Sequence, residues 1–307
     1  MIWSTLDFMI SLIVCSVRPE LLERAKRSVE SSIGVAHEWV VADNRNTGKG
    51  ICQVYNELAE KARFPFLIFL HEDVTFEGSD WGDRLIDHFM TDPKLGLVGL
   101  AGSNVKSSSI SGWYTGDPQH DRFYLNHQLP GYAESLHQVP STSMDLFPVV
   151  CLDGVFLCCR RTVWESIRFD EQHLRGFHFY DLDFSLRVAR KFRVGMTTRV
   201  ALTHHTEAGG DYGTRWLQEA MDFHHRWSDR LPMSLDQQSI DESSIQRIWL
   251  DRLKDQRISI LDRIQWISRH QLWMRPAFYY AILKFLIYRP LRLRHLHRYL
   301  RNRKHDH

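Results

Sequence analysis

An α/β fold, with a mostly parallel central sheet flanked by helices and a helical C-terminal extension, is what this chain predicts. Three observations carry that prediction. Short apolar runs rich in Ile, Val, Leu and Phe recur along the first hundred residues. Stretches with helical spacing separate them, which is the alternation of a sheet covered on both faces. The run at Phe66–Leu70 stops abruptly at His71-Glu72-Asp73. In such sheets ligands bind beyond the carboxyl ends of the strands, where those three side chains would sit.

Phe8–Val17 reads as the first strand and Pro19–Ser32 as the helix after it, with Pro19 in the first turn. Glu38–Ala42 is a second strand that ends at Asp43-Asn44, and Lys49–Ala62 has helical spacing. Phe66–Leu70 is a buried third strand, Trp81–Met90 a helix and Leu95–Ala101 a further strand. This opening part is a nucleotide-binding type of α/β unit. Residues 103–149 lose any clean period and gain Ser, Gly, Asp, His and aromatics, which reads as a flexible cover over a site. Val149–Arg160 is a strand region interrupted by Asp153-Gly154, followed by a helix at Arg161–Ser166. Tyr180 opens a helix that runs to about Phe192, and Val194–Leu202 is a strand leading into His204-His205. From Thr214 onward the chain reads as helices.

The chain has 307 residues, enough for one elaborated domain with a full core. A net charge of +2 does not point to nucleic acid, and no nucleic-acid motif accompanies it. The five cysteines are odd in number, two of them adjacent and most of them in apolar runs, which suits buried thiols in a reducing compartment. Asp7 interrupts the apolar start and no basic segment precedes it, so no signal peptide is expected. No uninterrupted apolar run approaches the roughly 18 residues of a spanning helix. The expected location is cytoplasmic.

Three polar clusters follow strands or open a helix: His71-Glu72-Asp73, Asp181-Leu182-Asp183 and His204-His205. Magnesium takes oxygen ligands, and manganese also accepts imidazole. Asp73, a histidine near position 204 and a substrate diphosphate would complete such a site. Each cluster also has a plainer reading. The first is a solvated turn, the second supplies acidic residues to a helix N-terminus, and the third is a surface turn. Asp153-Gly154 reads equally as a bulge.

The order of these clusters resembles that of the family 2 glycosyltransferases. Phe69-Leu70-His71-Glu72-Asp73 falls where that family has its Asp-x-Asp motif. Asp153-Gly154-Val155-Phe156-Leu157, with Arg160-Arg161 and Phe169-Asp170-Glu171, looks like its acceptor-side segment. Tyr180-Asp181-Leu182-Asp183-Phe184-Ser185-Leu186-Arg187 is similar to its Glu-Asp-x-Asp-Leu-x-x-Arg motif, and Thr203-His204-His205 matches its later metal-binding histidine. The resemblance spans about residues 8–210.

It implies a GT-A nucleotide-diphospho-sugar transferase fold over residues 1–213, with a nucleotide-binding half at 1–102 and an acceptor half at 103–213. Residues 214–307 would be the helical, basic extension. It implies an inverting transfer from a nucleotide-diphospho-sugar to a hydroxyl on a glycan or lipid-linked acceptor, in polysaccharide or lipid-linked oligosaccharide synthesis. Asp43, Glu72 and Asp73 would serve the donor, and Asp153, Gly154 and Asp183 the acceptor. Asp181 would be the general base. Mn2+ or Mg2+ would be held by Asp73 with His71, His204 and His205. Two residues depart from the pattern: His71 replaces the first Asp of Asp-x-Asp, and Tyr180 replaces the Glu before the base.

Leu291–Lys304 interleaves Leu293, Leu296, Tyr299 and Leu300 with Arg and His. Such a segment suits either an anionic membrane surface, at the inner face of the plasma membrane, or a packed helix with a solvated basic face. Two rivals to an active transferase remain at this point. One is a degenerate module that binds sugar nucleotide or glycan. The other is a nucleotidyltransferase, against which Cys15-Ser16-Val17-Arg18-Pro19 counts, because it is no Gly-rich loop.

Overall fold

The computed structural model describes residues 8–129, 132–205, 212–236 and 239–287. The chain divides into two compact units, each taken here by itself. One comprises Met1–Lys106, Gly112–Gly209 and Arg230–Ile240; the other comprises Ser107–Ser111, Gly210–Asp229 and Asp241–His307. The division is discontinuous, unlike a single cut at residue 213.

The first unit opens with β1 (Ile10–Ser16), α1 (Pro19–Glu30), β2 (His37–Asp43), α2 (Ile51–Lys61) and β3 (Phe66–Leu70). Then come β4 (Val74–Glu77), α3 (Trp81–Thr91), β5 (Leu95–Gly99), β6 (Ala101–Ser103) and β7 (Val105–Lys106). Next are β8 (Asp121–Leu129), β9 (Tyr132–Gln138), β10 (Leu146–Val149), β11 (Cys151–Leu152) and β12 (Phe156–Arg160). The unit continues with α4 (Arg161–Ile167), α5 (Tyr180–Ala189), β13 (Arg193–Thr197) and β14 (Ala201–His205). A late strand, β15 (Met233–Ser234), pairs with β7.

The main sheet has the order β10-β13-β5-β12-β3-β1-β2. β1, β2, β3, β5 and β13 run in one direction; β12 and β10 run against them. The sheet is therefore mixed, though most of its strands share one direction. The reversal at β12 follows from the long excursion between β5 and β12, which lets the chain re-enter between β3 and β5 from the opposite edge. The central strands β3 and β5 are buried along their whole length, as continuous apolar runs covered on both faces must be.

A second sheet has the order β11-β6-β8-β14-β4, with β9 added beside β8. It corrects three expectations. Leu95–Ala101 is not one strand: a kink at Leu100 carries the chain from β5 in the main sheet to β6 in the second. Val194–Leu202 likewise breaks between β13 and β14. Residues 103–149 are not a flexible cover, because β8 and β9 form a hairpin in which Tyr124 stacks on His137 at 4.2 Å. The strand period was hidden there because β8 (Asp-Arg-Phe-Tyr-Leu-Asn-His-Gln-Leu) mixes polar and apolar residues on both faces.

In the second unit, α6 (Thr214–Trp227), α7 (Glu242–Leu253), α8 (Ile260–Arg269) and α9 (Tyr279–Leu286) surround buried tryptophans, with Trp216 stacked on Trp249 at 5.1 Å. The Glu242 carboxylate accepts hydrogen bonds from Ser107, Ser108 and Ser109, which ties that short segment to α7. Among the described residues, no helix is long and apolar enough to cross a membrane. The basic stretch from Leu291 lies outside the described residues.

One buried amide joins the first unit's halves. Asn56 on α2 donates to the Phe169 carbonyl at 2.9 Å and to Glu171 at 2.9 Å, and it accepts from Phe169 N–H and Trp164 Nε1. Asn56→Ala removes the acceptor of the Phe169 N–H and of Trp164 Nε1, so it is expected to cost about 3 kcal/mol in denaturant unfolding. A loss within experimental error would show that water or relaxation replaces the clasp.

Candidate active site

The carboxyl ends of β1 and β3 lie side by side, and the segment after β3 supplies the site's first residues. Asp73 sits immediately before β4. The antiparallel pairing of β4 with β14 places His204 opposite Val74, and His205 N–H donates to the Asp73 carbonyl at 2.7 Å. His204 Nε2 thereby comes to 3.2 Å from Asp73 Oδ1. His71 Nδ1 approaches the same oxygen at 4.0 Å. His71, Asp73 and His204 form a group whose ligand atoms all lie within 4.8 Å of one another. Two imidazoles and a carboxylate fit a divalent first-row cation.

Burial by itself would raise the Asp73 pKa, but the hydrogen bond and charge of His204, with His71 beside it, outweigh that and hold it at about 2. Burial lowers the His71 pKa despite the neighbouring carboxylates, a shift toward the neutral imidazole that metal binding uses.

The second half of the site is built at the turn before β12. Asp153 accepts from Trp113 Nε1 at 2.8 Å and from Val155 N–H at 2.9 Å. Asp181, in the first turn of α5, accepts from Gly154 N–H at 2.9 Å and from Leu182 N–H at 2.9 Å. Burial first and the Asp153 charge second push the Asp181 pKa well above the carboxylate range. Gly154 has no room for a side chain, because a Cβ there would meet the Tyr180 hydroxyl at 2.1 Å. Tyr180 in turn bonds to His71 Nε2 at 2.9 Å and donates to the Gly154 carbonyl at 3.1 Å. The two halves are therefore in direct hydrogen-bond contact.

Four residues expected in the site stand apart from this group. His205 points to the other face of β14, where its Nε2 meets Thr75 at 2.7 Å, because successive strand residues alternate. Glu72 is turned to the start of α1, where it accepts from Ser16 at 2.6 Å and from the N–H groups of Val17 and Arg18. Asp183 is buried against Arg187 Nε at 2.7 Å, since positions two apart on a helix face opposite ways. Asp43 is exposed at the end of β2, the edge strand beyond β1, and is held near 2 by Arg45.

Three residues not singled out from sequence join the site. Arg18 brings its guanidinium to 3.5 Å from Asp73 Oδ2. Its position just past β1, beside the end of β3, was a usable signal. His127 on β8 is the register partner of His204, with rings 5.3 Å apart. Trp113 anchors Asp153. The last two lie in the segment that showed no period, so sequence offered nothing to find them by.

Residues 11–208 match the Glycosyltransferase like family, and the chain belongs to it. Streptomycin biosynthesis protein StrF of Streptomyces griseus is 24% identical over 182 residues, which are 58% of this chain and 60% of that protein. The chain thus matches less than two thirds of that relative's length. Among solved structures, GalNAc-T7 with UDP, GalNAc and Mn2+ superimposes at TM-score 0.48 and 11% identity, over 74% of this chain and 55% of that one. The mannosyltransferase PcManGT from Pyrobaculum calidifontis, in complex with GDP-Man and Mn2+, gives 0.43 and 10%, over 74% and 65%.

Because the Asp153 charge raises Asp181, Asp153→Asn is expected to lower the Asp181 pKa. A carbon-13 NMR titration of the side-chain carboxyls reads this directly. A raised folded-state pKa stabilises the fold below the ordinary carboxylate pKa, and that contribution fades as pH rises through the raised value. In Asp153→Asn the fade moves to lower pH. An unchanged Asp181 titration would mean that burial alone sets it.

Proposed function

We propose that the chain is an inverting, metal-dependent glycosyltransferase of GT-A type that moves a sugar from a nucleotide-diphospho-sugar to a hydroxyl acceptor. The observation that carries this reading is the hydrogen-bonded link, through Tyr180 and the Gly154 peptide, between a metal-competent His71/Asp73/His204 group and a carboxylate, Asp181, whose pKa is raised toward the working range of a general base. The acceptor class that fits best is a growing cell-surface polysaccharide or a lipid-linked oligosaccharide.

Asp181 takes the proton of the acceptor hydroxyl as that oxygen forms its bond to the anomeric carbon. The bond from the anomeric carbon to the diphosphate oxygen breaks, and the nucleoside diphosphate leaves from the opposite side, so configuration inverts. Asp153 keeps Asp181 basic, and Gly154 N–H orients its carboxylate. Arg18 offers positive charge beside Asp73 to the departing diphosphate. His71, Asp73 and His204 would hold a divalent cation, Mn2+ or Mg2+, which would supply charge neutralisation at that leaving group. Asp43 reaches the nucleoside from the end of β2.

The second unit supports a peripheral contact with an anionic membrane. Leu261, Met274 and Tyr280 are 75%, 80% and 70% exposed, and Leu283 and Ile287 continue the face of α9. Lys284 lies on the same helix, and the sequence beyond it adds Arg289, Arg292, Arg294, Arg298, Arg301, Arg303 and Lys304. Exposed apolar side chains followed in sequence by a basic stretch match an anionic lipid surface, where a lipid-linked acceptor would present its hydroxyl.

Two experiments test these readings. Calorimetry with common sugar nucleotides and Mn2+ is expected to find one donor whose binding weakens at least tenfold in Asp73→Ala, while Asp181→Asn keeps donor binding and loses transfer. A folded protein that binds no donor would sink the transferase reading. Sedimentation with vesicles should show binding to phosphatidylglycerol-containing but not to pure phosphatidylcholine membranes, abolished by Leu283→Asp with Leu261→Asp. Absence of binding, or a dimer that those changes dissolve, would replace the membrane with another occupant.

A further inference from the structure

The two departures from the family pattern, His71 and Tyr180, are hydrogen-bonded to each other at 2.9 Å. From this contact we propose that Tyr180 is a positioning residue: it fixes His71 as the tautomer that presents Nδ1 to the cation. The inference rests on the metal-dependent reading above and concerns how this chain holds the ion.

The proton count supports it. A tyrosine hydroxyl has one hydrogen; the Gly154 carbonyl at 3.1 Å can only accept, whereas the Tyr55 hydroxyl, also bonded to Tyr180, has a hydrogen of its own to give, so every partner is served when Tyr180 donates to the carbonyl. Its lone pairs then face His71 Nε2, which must carry the ring proton to complete that bond. A neutral imidazole protonated at Nε2 leaves its lone pair on Nδ1, the nitrogen on the Asp73 side. The reverse arrangement, with Tyr180 donating to Nε2, would leave the Gly154 carbonyl without this donor and place a hydrogen where the ion must sit.

Tyr180 has little freedom to do otherwise. It is 3% exposed and packed against Tyr55 and Phe169, with ring centroids at 5.6 and 6.1 Å. Partners behind a ligating histidine that fix its tautomer typically contribute 10–100-fold in metal affinity.

The test is a double-mutant cycle on the full chain, read by calorimetry and by electron paramagnetic resonance of Mn2+, with no turnover needed. Tyr180→Phe is expected to weaken Mn2+ about tenfold or more. His71→Asp keeps a ligand at that position that needs no tautomer and serves as the second background. Tyr180→Phe in the His71→Asp background is then expected to add nothing. A merely structural Tyr180 would weaken both backgrounds equally, which overturns the proposal, as does Tyr180→Phe with unchanged affinity. Thermal melts check that each variant is folded, and Tyr180→His, which can still meet Nε2, serves as the second variant should Tyr180→Phe fail. Wild type that binds no divalent cation would bring down the metal reading itself, a distinguishable result.

Discussion

The pairing of β14 with β4 on one side and β8 on the other is the constraint on which the site depends. His204 meets Asp73 only because the antiparallel register sets it opposite Val74, while the parallel register with β8 sets it beside His127. A one-residue slip would turn His204 away and bring His205 inward, because side chains alternate along a strand. Two neighbours that specify the same register make the slip costly. The second sheet is thus the frame that holds one ligand in place, and the main sheet supplies the others.

Charge is managed at this edge by giving carboxylates different surroundings. Asp73 lies between imidazoles and near Arg18, and it stays ionised at any physiological pH. Asp181 is buried with another carboxylate nearby, and its proton is held more tightly. The same chemical group therefore releases its proton readily at one position and holds it at another, a division set by environment. Asp153 links the two conditions: Trp113 and Val155 N–H hold it in place by hydrogen bonds, and its charge acts on Asp181 through space.

Sequence made the main sheet legible because its strands are continuous apolar runs, and the family motifs named Asp73, Asp153, Asp181 and a histidine at 204 or 205. It did not resolve which histidine, because both follow the same strand and only register separates them. Asp183 and Glu72 were assigned by proximity in sequence, and packing turned both away. The β8–β9 hairpin escaped detection, since a strand exposed on one face and facing a polar site on the other carries no alternation. His127 and Trp113 were lost with it. Arg18 was visible as a residue past a strand end, but its meaning required knowing that β1 and β3 are adjacent.

The start of α5 explains how one short segment serves both halves of the site. Phe179 precedes the helix with φ at +66°, in the left-handed region that a bulky residue enters only at a cost of about 1–3 kcal/mol. It is 3% exposed, so its packing can offset that cost. The consequence is directional. A sharp entry into the helix brings two consecutive residues to one spot, with Tyr180 reaching the Gly154 carbonyl and His71 while Asp181 takes the Gly154 N–H. An ordinary extended entry would swing the first turn away from Gly154 and part the two. The strain therefore lies at the point where His71 and Asp181 are joined through Tyr180 and a single glycine peptide, and the missing Cβ at Gly154 is what lets them approach.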